Sequence, residues 1–153
     1  MESYTGVKVI VTTKEVIDEL YKDEFLLLDL FDGRLRLADH QNLYVVLTNH
    51  VLDEAGNILI PSTSSAITKV VGNELVRLPI NKDTNVCGVR PRNKEQQMAL
   101  DALTDDSIQA VTLTGKAGTG KTLMALAAAM SKVDEGIYNR IILTRPMSEV
   151  GKY

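Results

Sequence analysis

The sequence predicts an α/β protein in two parts: a small β-rich α+β segment over residues 1–86, and the N-terminal portion of a parallel α/β domain over residues 87–153. Three observations lead there. Short apolar runs separated by turn residues crowd the stretch from Phe25 to Ile80. Beyond Arg92, helical and strand patterns alternate. Between the second pair of these lies Gly115-Lys116-Ala117-Gly118-Thr119-Gly120-Lys121-Thr122, which satisfies G-x-x-x-x-G-K-[ST] with an apolar strand pattern before it and an alanine-rich helix pattern after it.

Val7 to Val11 reads as a short strand. The Thr-x-x-Glu spacing of Thr12-Thr13-Lys14-Glu15 then predicts a capping box, opening a helix with Val16, Ile17, Leu20 and Tyr21 on one face. Strands are expected at Phe25 to Leu28, Leu35 to Leu37, Leu43 to Thr48, Ile58 to Ile60, Ala66 to Val71 and Glu74 to Leu78. Asp53 to Asn57 is a turn-rich break, and Gly72-Asn73 fits a two-residue hairpin turn that needs positive φ. Asn81 to Arg92 has little periodic apolar signal and reads as a linker, with the boundary between the two parts near Cys87. A helix over Asn93 to Leu103, a strand over Ala110 to Thr114, a helix from Lys121 to about Lys132 and a strand over Arg140 to Thr144 follow. The second helix is apolar almost all round, so burial is expected, with Met124 and Met130 as core filler.

Composition fits an ordinary globular chain: 153 residues, 44% hydrophobic and 24% charged, with a formal net charge of -3. That balance carries no global basic field to announce a nucleic-acid partner. No apolar run approaches the roughly 20 residues that span a bilayer, so no membrane partner is expected. The N-terminus lacks a signal-peptide pattern and the single Cys87 has no internal disulfide partner, which makes a cytoplasmic location the expectation. Cys87, His40 and His50 lack metal-ligand spacing.

The glycine-rich loop carries the clearest chemistry. Charged phosphate oxygens need several donors converging within a few residues, and glycines let backbone N–H groups turn inward with no Cβ in the way. The backbone of Gly115, Lys116, Ala117, Gly118, Thr119 and Gly120 is therefore expected to cradle a triphosphate, helped by the N-terminal dipole of the following helix. Lys121 is expected to reach the β and γ phosphates as the catalytic cation, and the Thr122 hydroxyl to complete the coordination of Mg²⁺. Upstream, two readings of Asn93 and Gln96 stand side by side. Gln96 presents its amide to adenine, matching a donor and an adjacent acceptor on the base edge, or Asn93 caps the helix and Gln96 completes a capping box. Arg145 likewise is either a phosphate contact at the carboxyl edge of the sheet or an exposed arginine at a turn.

After the loop, Asp134 and Glu135 read as a polar loop, and Glu149 follows Arg145-Pro146-Met147-Ser148, so none ends an apolar strand where hydrolysis wants a Mg²⁺-holding carboxylate. The chain is therefore expected to stop inside its α/β domain, holding ATP without the means to hydrolyse it alone.

Gly88-Val89-Arg90-Pro91-Arg92-Asn93-Lys94-Glu95-Gln96, the loop Gly115 to Thr122, and Thr144-Arg145-Pro146 followed by Val150-Gly151-Lys152 together resemble the opening of the PhoH-type ATPase domain. That resemblance implies a partial RecA-like P-loop NTPase domain, since PhoH domains are similar to the first RecA-like domain of superfamily 1 helicases. It implies an adenine-facing role for Gln96, a nucleic-acid role near Arg145, and ATP and Mg²⁺ as cofactors. The part from Tyr4-Thr5-Gly6-Val7 through the β-rich run is similar, less sharply, to the segment joining a PIN ribonuclease domain to PhoH. Members of that kind are linked to RNA unwinding and cleavage, which implies an ATPase coupled to RNA in the complete protein, with a homo-oligomer left open. The alternative is a truncated nucleotide-binding module without turnover. With no PIN domain in the chain, ribonuclease activity is not expected, and the β-rich segment is read as a spacer or packing element before an RNA surface.

Overall fold

A computed structural model describes residues 7–31 and 40–146. Its contacts divide the chain into two compact units, Met1–Pro79 and Ile80–Tyr153. The sequence expectations at Leu35 to Leu37 and Val150 to Lys152 lie outside the described residues.

The first unit is built on a five-stranded mixed sheet. Its strands are β1 (Lys8–Val11), β2 (Phe25–Leu27), β3 (Tyr44–Thr48), β6 (Ser65–Val71) and β7 (Glu74–Arg77), in the order β1-β3-β6-β7-β2. β1 runs parallel to β3 and the remaining neighbours are antiparallel. The β6–β7 hairpin closes on Val71 opposite Glu74, with Gly72 at φ 60 and Asn73 outside the positive-φ residues. Positive φ at only the first central residue is the type II′ pattern, whose twist matches that of the flanking strands. A separate two-stranded ladder pairs β4 (Val51–Leu52) with β5 (Ile58–Ile60) across the Asp53 to Asn57 turn, where Asp53 Oδ1 accepts from the backbone N–H of Ala55 and Asn57. Two residues are too few to show a period, which is why β4 carried no sequence signal.

Helix α1 (Lys14–Asp23) covers one face of the larger sheet. Its N-cap is Thr13, not Thr12: the Thr13 hydroxyl accepts from Val16 N at 3.4 Å, so the expected capping box is shifted by one residue and Glu15 falls at the second helical position. Ile17 and Leu20 are fully buried against Leu26, Val45, Leu47, Ala66, Val70 and Leu75, as the helical spacing predicts. Tyr21, on the flank of that face, is exposed; its hydroxyl donates to Ser65 O at 3.0 Å and its ring carries the Arg77 guanidinium 4.5 Å from the centroid.

The second unit joins helices α2 (Lys94–Thr104) and α3 (Lys121–Asp134) over a small core of Val86, Leu100, Met124 and Ala127. α3 buries one stripe, Met124, Ala127, Ala128 and the stem of Lys132, while Leu123 and Met130 are exposed. Burial all round is thus corrected to burial on one face, and Met130 is not core filler. α3 ends in a Schellman motif: Gly136 at φ 74 donates to Val133 O and Ile137 to Lys132 O. Asp134 is consequently the last helical residue and not part of a polar loop. The Lys132 ammonium meets Asp106 Oδ1 at 2.7 Å and ties this end of α3 to the turn after α2.

The expected strands at Ala110 to Thr114 and Arg140 to Thr144 are not formed among the described residues. Both runs keep their apolar residues, with Ile142 77% and Leu143 74% exposed, but a strand exists only through a ladder partner, and neither run pairs with the other. The parallel sheet predicted for the second unit is therefore absent from the described residues, and the mixed sheet of the first unit is the main sheet of the structure.

Between the units' main elements, Val86 and Val89 exchange both backbone hydrogen bonds at 2.9 Å around Cys87 at φ 44 and Gly88 at φ 85, the geometry of a type I′ turn. Gly88 N donates to Asn85 Oδ1 and fixes the turn further. The Cys87 thiol donates to Asp134 Oδ2 at 3.6 Å; partial desolvation and that carboxylate both raise its pKa above the usual cysteine value.

Truncating Leu20 to alanine removes a fully buried side chain from the first unit's core and is expected to lower stability by about 2–5 kcal/mol in chemical denaturation. A raised thiol pKa means less thiolate at a given pH, so Cys87 should alkylate with iodoacetamide more slowly than an unperturbed thiol near about pH 8. Asp134→Asn removes the charge that opposes the thiolate and should speed the reaction at the same pH. An unchanged or slower rate in that variant would show that Asp134 does not control the thiol.

Candidate nucleotide-binding site

The loop between the apolar run at Ala110 and helix α3 is shaped by three glycines with positive φ: Gly115 at 152, Gly118 at 79 and Gly120 at 85. Gly120 is the N-cap of α3, in the left-handed conformation and with no side-chain cap. Its carbonyl accepts from Met124 N at 2.9 Å, so the helix starts directly from the loop. The backbone N–H groups of residues 116–123 find no acceptor among the described residues. That set, at a helix N-terminus and with its positive dipole end, has the donor chemistry of an anion cradle.

Lys121 folds back over the loop. Its ammonium donates to Gly115 O at 2.9 Å, to Lys116 O, and to Thr119 Oγ1 at 3.1 Å, and Thr119 Oγ1 in turn donates to Lys116 O at 2.9 Å. A cation is thus held against the loop by two carbonyl oxygens and a hydroxyl. Thr122, one residue on, is exposed in the first turn of α3.

Asn93 and Gln96 are where the sequence placed them, at the start of α2. Asn93 is the N-cap, and its Oδ1 accepts from Gln96 N at 2.8 Å. The amide of Gln96 does not complete a capping box with the Asn93 N–H. Its Oε1 accepts from Arg92 N at 2.8 Å and its Nε2 donates to Thr119 O at 3.2 Å. The second of these joins α2 to the glycine-rich loop, a contact between residues 23 apart that spacing alone does not reveal.

Beside the loop lies a pocket of about 280 Å³. Gly88, Val89, Arg90 and Arg92 form one wall, Gln96 and Leu123 others, and Gly118 to Gly120 connect it to the loop. Val89, Arg90 and Leu123 are not among the site residues expected from the sequence; for Val89 and Arg90 the available signal was their place in the run Gly88 to Gln96 that carries the resemblance. Arg145 is exposed and has no assigned contact at the loop among the described residues.

Residues 88–153 match the family model for PhoH-like proteins. Protein PhoH2 of Bacillus subtilis is 35% identical over 153 residues, covering 99% of this chain and 32% of the relative. Protein PhoH2 of Mycolicibacterium smegmatis is 32% identical over 152 residues, covering 99% of this chain and 31% of the relative. A PhoH-like protein of Mycobacterium leprae is 42% identical over 64 residues, 42% of this chain and 18% of that protein. The chain thus spans about a third of the length of the PhoH2 relatives it matches. No solved structure matches it. No helix among the described residues is long and apolar enough to cross a membrane. With its glycine-rich loop, the chain is similar to PhoH-like proteins over residues 88–153 and to part of the PhoH2 relatives along nearly its whole length.

Proposed function

We propose that the second unit binds Mg²⁺–ATP, with the triphosphate in the loop Gly115 to Thr122 and the base in the adjoining pocket, and that a protein of the relatives' full length is an ATPase coupled to RNA. The observation that carries the binding reading is the placement of the Lys121 ammonium inside a loop whose N–H groups have no acceptor among the described residues. Neutral donors and a fixed cation converge there, the arrangement a polyanion needs and a neutral ligand does not.

Each residue then has a distinct task. The backbone N–H groups of the loop, from Gly115, Lys116, Ala117 and Gly118 through Gly120, take the phosphate oxygens. Lys121 exchanges its carbonyl partners for the β and γ phosphates, and its charge offsets what develops on the transferred group. Thr122 would offer its hydroxyl to Mg²⁺, which would neutralise part of the phosphate charge. Asn93 holds the first turn of α2, and through it the position of Gln96 at the pocket wall. The pocket is near the lower end of the size range for small-ligand sites, which suits a single purine with its sugar partly exposed. RNA coupling rests on the likeness of PhoH domains to helicase RecA-like domains.

Binding of Mg²⁺–ATP to this chain, followed by calorimetry, should weaken by about 10- to 100-fold in Lys121→Ala, the loss expected for removing one charge-assisted set of hydrogen bonds. Equal affinity in that variant would remove the loop from the account. Phosphate release separates the two functional readings. Turnover by a full-length relative that rises with added RNA supports the coupled ATPase, and turnover indifferent to RNA ends that version. Steady turnover by the 153-residue chain itself, lost in Lys121→Ala, would rule out a module that only holds nucleotide.

A further inference from the structure

We infer that Gln96 is a positioning residue for the phosphate loop: it ties the pocket wall at Arg92 to the loop at Thr119, and acts on a bound triphosphate through the loop and not through the base. The inference rests on the phosphate-binding reading of Gly115 to Thr122.

The two ends of one amide reach two different segments. Oε1 takes the Arg92 N–H at 2.8 Å, and Nε2 gives a hydrogen to Thr119 O at 3.2 Å. An N–H must meet the oxygen end and a carbonyl must meet the nitrogen end, so these partners fix the orientation of the amide. Gln96 itself is anchored by the α2 cap, its own N–H donating to Asn93 Oδ1.

Thr119 is the residue through which that anchor reaches the loop's cation. Its hydroxyl donates to Lys116 O and accepts from the Lys121 ammonium. The peptide between Thr119 and Gly120 matters as much. In a planar trans peptide the C=O and the N–H point in opposite directions. With Thr119 O held toward Gln96, the Gly120 N–H faces away from Gln96, and the carbonyl's negative end is kept clear of the anion. Freed from Gln96, this peptide can rotate and present a carbonyl where a donor is needed.

Close approach is built into the site. A Cβ at Gly120 would sit 3.3 Å from Gln96 Nε2, and Gly120 adopts φ 85. Glycine at this position therefore serves both the left-handed start of α3 and the contact with the Gln96 amide. A glutamine whose task was limited to reading a base would need neither the Thr119 bond nor this clearance.

The test separates phosphate from base by using a ligand without a base. Binding of Mg²⁺–tripolyphosphate, Mg²⁺–ATP and Mg²⁺–GTP is measured by calorimetry on the full chain as wild type, Gln96→Ala, Gln96→Glu and Lys121→Ala. Gln96→Ala should weaken all three ligands by a similar factor, about tenfold for one lost hydrogen-bonded tether, and leave the ATP-to-GTP ratio at the wild-type value. Gln96→Glu keeps the size and the Arg92 acceptor but sets a carboxylate against Thr119 O, so it should weaken tripolyphosphate more than alanine does. In ligand-free protein, the amide resonance of Gly120 should shift in both variants while those of Ala127 and Ala128 stay in place. Unchanged tripolyphosphate binding in Gln96→Ala, with loss confined to ATP relative to GTP, would overturn the inference and make Gln96 a base reader. Wild-type protein that binds tripolyphosphate no better than Lys121→Ala would instead overturn the phosphate-binding reading beneath it.

Discussion

The second unit depends on one backbone event, the left-handed turn at Gly120 that ends the loop and begins α3. At that residue the chain passes from an irregular loop to a helix whose first N–H groups have no internal partner. Had a side chain stood there, the φ of 85 would be strained and the Gln96 amide would be crowded. The helix start, the placement of Lys121 on the first helical position and the contact with α2 all follow from the same small residue. Sequence alone shows the glycine as one letter of a motif. Its second task, clearance for an amide 24 positions earlier in the chain, exists only in three dimensions.

How much of the molecule could be read from residues alone depended on whether the deciding partner was local. The I′ turn at Cys87-Gly88 and the II′ turn at Gly72-Asn73 are decided by residues that allow positive φ. The hairpin turn was legible, and the Asn93 cap was too, because caps and turns use groups within three or four positions. Cap choice between Thr12 and Thr13 was not, since either threonine satisfies a local pattern, and Thr12 is taken up by β3, its N–H donating to Thr48 O at 2.8 Å. The strands at Ala110 and Arg140 failed for the opposite reason. Their apolar runs are real, but a strand needs a partner elsewhere, and β propensity describes fit to a half-buried surface more than an intrinsic preference of the backbone.

The same distinction explains α3. An alanine-rich helix with leucine and methionine on several sides predicts burial from all directions, yet only the Met124–Ala127–Ala128 stripe is covered. Amphipathic pattern shows which faces are able to be buried, not which faces meet a neighbour. Leu123 shows the difference well: exposed at 58%, it lines the pocket beside the loop and no part of the core.

Charge follows the local logic as well. A net charge of -3 over the chain argues against a globally basic protein, but it averages over two units and says nothing of one pocket. Around the loop the balance is reversed: Lys121 lies inside it, Arg90 and Arg92 line the adjoining wall, and the N-terminus of a 14-residue helix points its dipole at the same spot. The pocket's lining contains no carboxylate. Of the acidic groups of this unit, Asp134 and Glu135 lie at the other end of α3, where they meet Cys87 and Lys132, and Glu95 stands in the first turn of α2. Fourteen residues at about 1.5 Å of rise place the two helix ends roughly 20 Å apart, about two screening lengths at physiological salt. The net charge of the chain therefore does not describe the charge at this pocket, where Arg90 and Arg92 are present and no carboxylate lines the wall.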